Sequence, residues 1–61
     1  MLSNEELLGK HVMIESHVSK NNKKFGRVCA KCKNPDMVYV YFDDTKKKVL
    51  FMNYSLYVLD K

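Results

Sequence analysis

Residues 37–42 carry the pattern that most limits how this chain can fold. The run Met-Val-Tyr-Val-Tyr-Phe alternates strictly, placing Val38, Val40 and Phe42 on one side and the methionine and both tyrosines on the other. Successive side chains of a β-strand point to opposite faces, and β-branched and aromatic residues are enriched in strands. Turn-forming residues flank the run at 33–36 and 43–46. The pattern therefore predicts a half-buried strand between two sharp turns.

The same period of two recurs along the chain and predicts an antiparallel sheet. Further strands are predicted over residues 10–17, 27–32, 47–52 and 57–59. Ser3 followed by Glu6 is a capping-box pattern, which predicts a helical turn that ends at Gly9. A second single turn is predicted over residues 53–56. The predicted core contains Val12, Ile14, Val28, Ala30, Val38, Val40, Phe42 and Leu56.

Chain length and composition favour one folded domain over residues 1–61. A chain of 61 residues has room for one core, and 46% hydrophobic residues are too many for a disordered tail. No stretch approaches the ~20 apolar residues of a membrane span. The N-terminal region carries Glu5 and Glu6 where a secretory signal would be basic. We therefore expect a cytoplasmic location and no membrane contact.

Both the layout and the motifs resemble those of the SH3-like barrels, in particular the KOW and Tudor domains. The resemblance rests on Gly9-Lys10-His11-Val12-Met13-Ile14, Phe25-Gly26-Arg27-Val28, Val38-Tyr39-Val40-Tyr41-Phe42-Asp43-Asp44, Leu56 and Leu59. It covers nearly the whole chain from Gly9 onward. It implies an all-β fold, a small five-stranded SH3-like barrel with a short N-terminal helical turn and a one-turn helix before the last strand.

The resemblance also implies binding rather than catalysis. KOW domains commonly contact RNA or transcription and ribosome components, whereas Tudor domains read methylated side chains in a cage of aromatic residues. Only Phe25, Tyr41 and Phe42 lie near the loops that would form such a cage, and Phe42 is expected in the core. The aromatic cage is therefore incomplete in this chain.

Basic residues cluster in the sequence and indicate an anionic partner. Six basic residues and no acidic residue lie between Lys20 and Lys33, within a chain of net charge +4. In an antiparallel meander the first and third connecting loops lie at the same end, so their lysines should form one rim. Phosphates would bind this rim, and bases would stack on outward tyrosines. The predicted nucleic-acid-binding residues are Lys20, Lys23, Lys24, Arg27, Lys31, Lys46, Lys47, Lys48, Tyr39 and Tyr41.

Other roles remain open for the same surface. Loop lysines can simply solvate a small domain, and outward tyrosines can cover a sheet face. The main rival is a protein-interaction module, such as a small accessory or inhibitor protein that docks on a larger host complex. Its contact surface would use the C-terminal aromatic and leucine residues beside the one-turn helix, or the N-terminal turn if that turn does not pack on the barrel. The apolar residues of the N-terminal turn are Met1, Leu2, Leu7 and Leu8. The C-terminal candidates are Tyr54, Leu56, Tyr57 and Leu59.

The cysteines and histidines do not form a recognisable metal or catalytic pattern. Cys29 and Cys32 are three residues apart, so on a regular strand they would point to opposite faces rather than share a zinc knuckle. His11 and His17 lack a nucleophile or carboxylate arrangement that would support catalysis. We therefore expect a binding protein without enzymatic activity, zinc, disulfide or other cofactor.

Overall fold

The computed structural model describes residues 3–59 of the chain, which form one antiparallel sheet of five strands. The strand order across the sheet is β4-β3-β2-β1-β5. The elements are α1 (Asn4–Leu7), β1 (His11–Ile14), β2 (Phe25–Lys31), β3 (Met37–Phe42), β4 (Lys48–Met52), a 3₁₀ turn (Asn53–Ser55) and β5 (Leu56–Val58). The predicted small all-β fold, with one short helix before the sheet and one turn before the last strand, is confirmed.

The N-terminal helical turn forms because its first residues cap each other. Ser3 Oγ accepts the backbone N–H of Glu6 at 3.2 Å, and the Glu6 carboxylate accepts the Ser3 N–H at the same distance. This second bond, together with the Ser3 hydroxyl, holds the pKa of Glu6 below its ordinary value. Gly9 ends the turn at φ +81°, a conformation that glycine adopts without strain.

Leu7 anchors this turn to the sheet. Its side chain is buried in the core, so it is not available as a contact for another chain. The alternative of a protein contact through the N-terminal turn required Leu7 to be exposed. Leu8 is 39% exposed. Met1 and Leu2, which belong to the same alternative, lie outside the described residues.

One hydrophobic core lies on one face of the sheet. The buried residues are Leu7, Val12, Ile14, Val28, Val38, Val40, Phe42 and Phe51. Val49 from β4 and both Leu56 and Val58 from β5 pack against this cluster. Both edge strands thus contribute to the same core as the three central strands.

Six of the eight predicted core residues are buried, and two are not. Ala30 and Leu56 are only half-buried. Phe51 takes part in the core instead, with its ring 5.8 Å from that of Phe42 in an edge-to-face arrangement.

A β-bulge in β2 explains why the prediction for Ala30 is wrong. Val28 pairs with Val40, but Ala30 then pairs with Tyr39, so the register shifts by one residue at Cys29. Residues directly opposite each other in an antiparallel pair share a face. The bulge thereby turns Ala30 toward the tyrosine face, so it does not share the core face with Val28 as predicted.

Asparagine side chains close the end of the molecule that contains the β2–β3 turn. The Asn4 amide donates to Pro35 O at 2.7 Å and to Met37 O at 3.2 Å. The Asn53 amide donates to Asn4 Oδ1 at 3.0 Å, and the Asn53 N–H donates to Asp36 O at 2.7 Å. We call this arrangement the asparagine clamp, which joins α1, the β2–β3 turn and the 3₁₀ turn.

Several strand boundaries differ from the predicted ones. β1 ends at Ile14 rather than at residue 17, and the following residues belong to a loop in which Asn22 Oδ1 accepts the Ser16 N–H. β2 begins two residues earlier and ends one residue earlier than predicted, and β5 is shifted by one residue toward the N-terminus. Among residues 3–59, no helix is long and apolar enough to cross a membrane.

Candidate nucleic-acid interface

A row of polar and aromatic side chains crosses the outer face of the sheet. His11 on β1 pairs with Arg27 on β2, Arg27 pairs with Tyr41 on β3, and Tyr41 pairs with Lys48 on β4. Paired residues share a face, with Cα atoms about 4.5–5.5 Å apart. The four residues therefore form a continuous line across four strands, here called the cross-sheet row.

Neighbouring groups hold the members of this row in place. Arg27 Nη1 donates to Gly9 O at 2.7 Å, and His11 Nε2 lies 3.0 Å from Asp43 Oδ2. Lys48 Nζ lies 5.1 Å from the centre of the Tyr39 ring, within the range of a cation–π contact. The Lys48 ammonium group thus lies over an aromatic ring, whereas the Arg27 guanidinium is held against the backbone between α1 and β1.

Aromatic and apolar side chains continue the outer face on both sides of the row. On one side Tyr39 pairs with Leu50, and on the other side Met13 pairs with both Phe25 and Tyr57. Phe25 is 47% exposed and Tyr57 is 57% exposed. Arg27 and Lys48 supply the positive charge of this face, and the Asp43 carboxylate lies beside His11 at its edge. The face therefore combines exposed rings with positive charge, and no Asp or Glu belongs to any of the five strands.

The two basic loops meet at one end of the sheet, as predicted. The Asp43 N–H donates to Phe25 O at 3.2 Å, and Lys24 Nζ lies 3.7 Å from Asp44 Oδ2. A shallow pocket between the loops is lined by Lys23, Lys24, Phe25, Asp43 and Asp44. Together the loops at 15–24 and 43–47 contain five lysines and three carboxylates, a net charge of +2. The rim is positive, but its aspartates reduce the charge that the lysines alone would give.

Most predicted site residues lie at the loop end or on the outer face. Lys20, Lys23, Lys46 and Lys47 are exposed in the loops, and Lys24 is half-buried there. Arg27, Tyr39 and Tyr41 lie on the outer face as predicted. Lys48 begins β4 and joins the cross-sheet row instead of the loop rim, because the hairpin ends one residue before it.

Lys31 does not occupy its predicted place beside the tyrosines. The bulge in β2 sets it opposite the core residue Val38, and its Nζ lies 3.5 Å from Glu5 Oε1. It therefore belongs to the α1 end of the molecule.

His11 and Phe25 also lie on this face, although the predicted interface does not include them. His11 is in the cross-sheet row, and its ring lies 6.4 Å from that of Phe25. Phe25 stands two residues before Arg27, so the period of two along β2 already places both on one face.

The two thiols make local contacts and are not joined to each other. Cys29 is exposed and its Sγ donates to Tyr39 O at 3.6 Å. Cys32 lies beyond the end of β2, where its Sγ accepts the Asn34 N–H at 3.2 Å. His17 is exposed in the β1–β2 loop. Within the described range 3–59, no three His, Cys, Asp or Glu side chains are grouped closely enough to hold a metal ion.

Comparisons with known proteins identify no relative of this chain. No protein-family model matches it, and neither the curated proteins nor the solved structures contain a significant match. The functional argument therefore depends on the chemistry of the outer face and of the loop end.

Proposed function

We propose that this protein binds single-stranded nucleic acid on the outer face of its sheet. The observation that carries the proposal is the cross-sheet row, in which Arg27 and Lys48 lie on either side of Tyr41. Single-strand binders combine a positive surface that follows the phosphates with aromatic rings on which bases stack. The cross-sheet row supplies both groups within one strand spacing of each other.

The tyrosine pair supports a single strand as the ligand. Tyr39 and Tyr41 are two residues apart on one strand and share its outer face, so their Cα atoms are separated by about 6.8 Å. Two unpaired bases can stack on rings at this spacing, whereas a duplex keeps its base faces stacked inside the helix. We therefore expect a preference for single strands with little dependence on sequence.

Two further assignments belong to this proposal. We place the fold among the SH3-like barrels because the strand order and the 3₁₀ turn before a short fifth strand support the resemblance in sequence. We place the protein in the cytoplasm, a compartment in which unpaired thiols such as Cys29 and Cys32 stay reduced.

Fluorescence anisotropy with labelled single-stranded and duplex oligonucleotides tests the binding proposal. Tyr41→Ala should raise Kd for the single strand by about fivefold to 150-fold, which corresponds to about 1–3 kcal/mol per stacked base. Tyr54→Ala is the matched control, because Tyr54 is 64% exposed but lies in the 3₁₀ turn. Equal effects of the two substitutions, or no binding by the parent chain, would refute the proposal.

A second pair of variants tests the positive charge. Lys48→Gln removes a cation from the cross-sheet row, whereas Lys33→Gln removes one from the β2–β3 connection at the opposite end. Only Lys48→Gln should lower the slope of log K against log salt concentration, by about 0.7 for one lost phosphate contact. Identical slopes for the two variants would contradict a phosphate contact at Lys48.

One observation favours a protein partner as the second candidate. Phe25, Met13 and Tyr57 form an uncharged line on the same face, and two of these three side chains are exposed. Tyrosine is frequent at the energetic centres of protein interfaces. If Phe25→Ala and Tyr57→Ala abolish function in the cell while oligonucleotide binding is unchanged, the protein-interaction module replaces the nucleic-acid proposal.

A further inference from the structure

The β1–β2 loop closes with a β-bulge that contains two consecutive lysines. The Lys23 N–H donates to Ile14 O at 2.7 Å, and the Ile14 N–H donates to Lys24 O at 2.8 Å. Two residues of one strand thus stand opposite one residue of the other, which defines a bulge. Lys23, the first of the pair, has φ +70°.

The β3–β4 loop closes in the same way. The Lys46 N–H donates to Phe42 O at 3.2 Å, and the Phe42 N–H donates to Lys47 O at 3.0 Å. Lys46, again the first residue of the pair, has φ +61°. The molecule therefore contains two equivalent bulges, each formed by a Lys-Lys pair with its first member in the left-handed region.

Lysine is an unfavourable residue for the first position of such a bulge. Glycine is the usual occupant, because a Cβ atom in the left-handed conformation crowds the following carbonyl. Asparagine tolerates the same conformation better than lysine does. An asparagine, Asn22, directly precedes Lys23, yet it is Lys23 that takes the left-handed position. Among residues 3–59, the only non-glycine residues with positive φ are these two lysines. Residues held in such conformations concentrate at functional sites.

The two bulges contact each other through Lys24. Its Nζ lies 5.7 Å from the centre of the Phe42 ring, and Phe42 is the residue opposite the second bulge. The same ammonium group lies 3.7 Å from Asp44 Oδ2. Lys23, Lys46 and Lys47 are exposed, and no residue in the described part of the chain forms a salt bridge with them.

We infer that the two bulges form a clamp for the phosphodiester backbone of the bound strand, with Lys23 and Lys46 as its principal contacts. This inference rests on the proposed function and extends it from the sheet face to the loop end. A bulge redirects the side chain that it carries. On this inference the two lysines supply charge at positions where glycine would be less strained.

Glycine substitutions separate the two effects. Lys23→Gly and Lys46→Gly should each raise Tm by about 2–8 °C, because they relieve the left-handed conformation in a small domain. Each should also weaken single-strand binding. The loss of one phosphate contact lowers the slope of log K against log salt concentration by about 0.7, so over the tenfold range from 1 M down to 0.1 M salt the variant falls behind the parent about fivefold in affinity. Lys23→Asn and Lys46→Asn repeat the test without the added chain flexibility of glycine.

Lys33→Gly is the matched control, since Lys33 lies at the other end and its φ is not positive. It should not raise Tm and should leave binding unchanged. A rise in Tm with unchanged binding in the Lys23 and Lys46 variants would overturn the clamp, and so would a Tm that, like that of the control, does not rise. Tyr41→Ala, measured in the same titrations, reports on the sheet face alone. Weaker binding by this variant together with unchanged binding by the Lys23 and Lys46 variants would refute the phosphodiester clamp but not the proposed function.

Discussion

Gly26→Ala should destabilise the fold because the structure leaves no room for a methyl group at this position. Gly26 is buried on β2 opposite Phe42, and an added Cβ would lie 2.6 Å from Tyr41 O and 2.7 Å from Val40 Cγ1. Ordinary contacts at such a position begin at 3.4 Å, so both neighbours would have to move by several tenths of an ångström. One neighbour is backbone and the other is a core side chain, neither of which can rotate away.

The expected cost is about 3 kcal/mol, at the upper end of the range for overpacked cores. A chain of this length has an unfolding free energy of about 3–9 kcal/mol, so the variant should lose a third of its stability or more. Urea denaturation followed by circular dichroism measures this difference. Gly9→Ala is the control for backbone conformation alone: Gly9 has positive φ but nothing within 4 Å of an added Cβ, so this variant should lose about 1 kcal/mol. If Gly26→Ala is less destabilising than Gly9→Ala, the steric reasoning is wrong.

Three further predictions test other parts of the structure. Phe51→Ala should lower the free energy of unfolding by about 3–4 kcal/mol in urea denaturation, since it removes a buried ring in contact with Phe42; a loss below about 1 kcal/mol would show that β4 does not close the core. The double variant Cys29→Ser/Cys32→Ser should melt within about 4 °C of the parent, with or without EDTA, because neither thiol is fully buried or joined to another; unfolding by the chelator would reveal a metal site. The pKa of Glu6 is lowered in the fold, so its contribution to stability is present above its ordinary value of 4.5 and is lost as the pH falls through the folded value. Glu6→Gln should therefore melt below the parent at pH 7 and alongside it at pH 2, and a pH-independent difference would contradict this assignment.

The sequence predicts an element well where alternation and turn residues agree. β3 is found at its predicted boundaries, since a strict period of two runs between an Asn-Pro-Asp turn and an Asp-Asp turn. β4 lacks such a pattern because Val49, Leu50, Phe51 and Met52 are all apolar. With no alternation, the sequence does not indicate which of these side chains are buried, and the predicted core therefore omits Phe51.

Features that depend on tertiary contacts were not predicted. The bulge at Cys29 adds one residue to β2 without any glycine or proline to mark it, and it moves both Ala30 and Lys31 from their expected faces. The left-handed conformation of Lys46 is similarly unmarked, because lysine rarely adopts it. The candidate site was predicted in outline from charge and alternation, whereas the cross-sheet row required the register of four strands.

The asparagine clamp has a consequence for the rates at which the molecule folds and unfolds. Asn4 and Asn53 are 49 residues apart in sequence, so their amides meet only after most of the chain has been brought together. We expect these contacts to form after the folding transition state, so that removing them accelerates unfolding while leaving the folding rate nearly unchanged. On this expectation the asparagine clamp sets how long the native molecule persists, rather than how quickly it is reached.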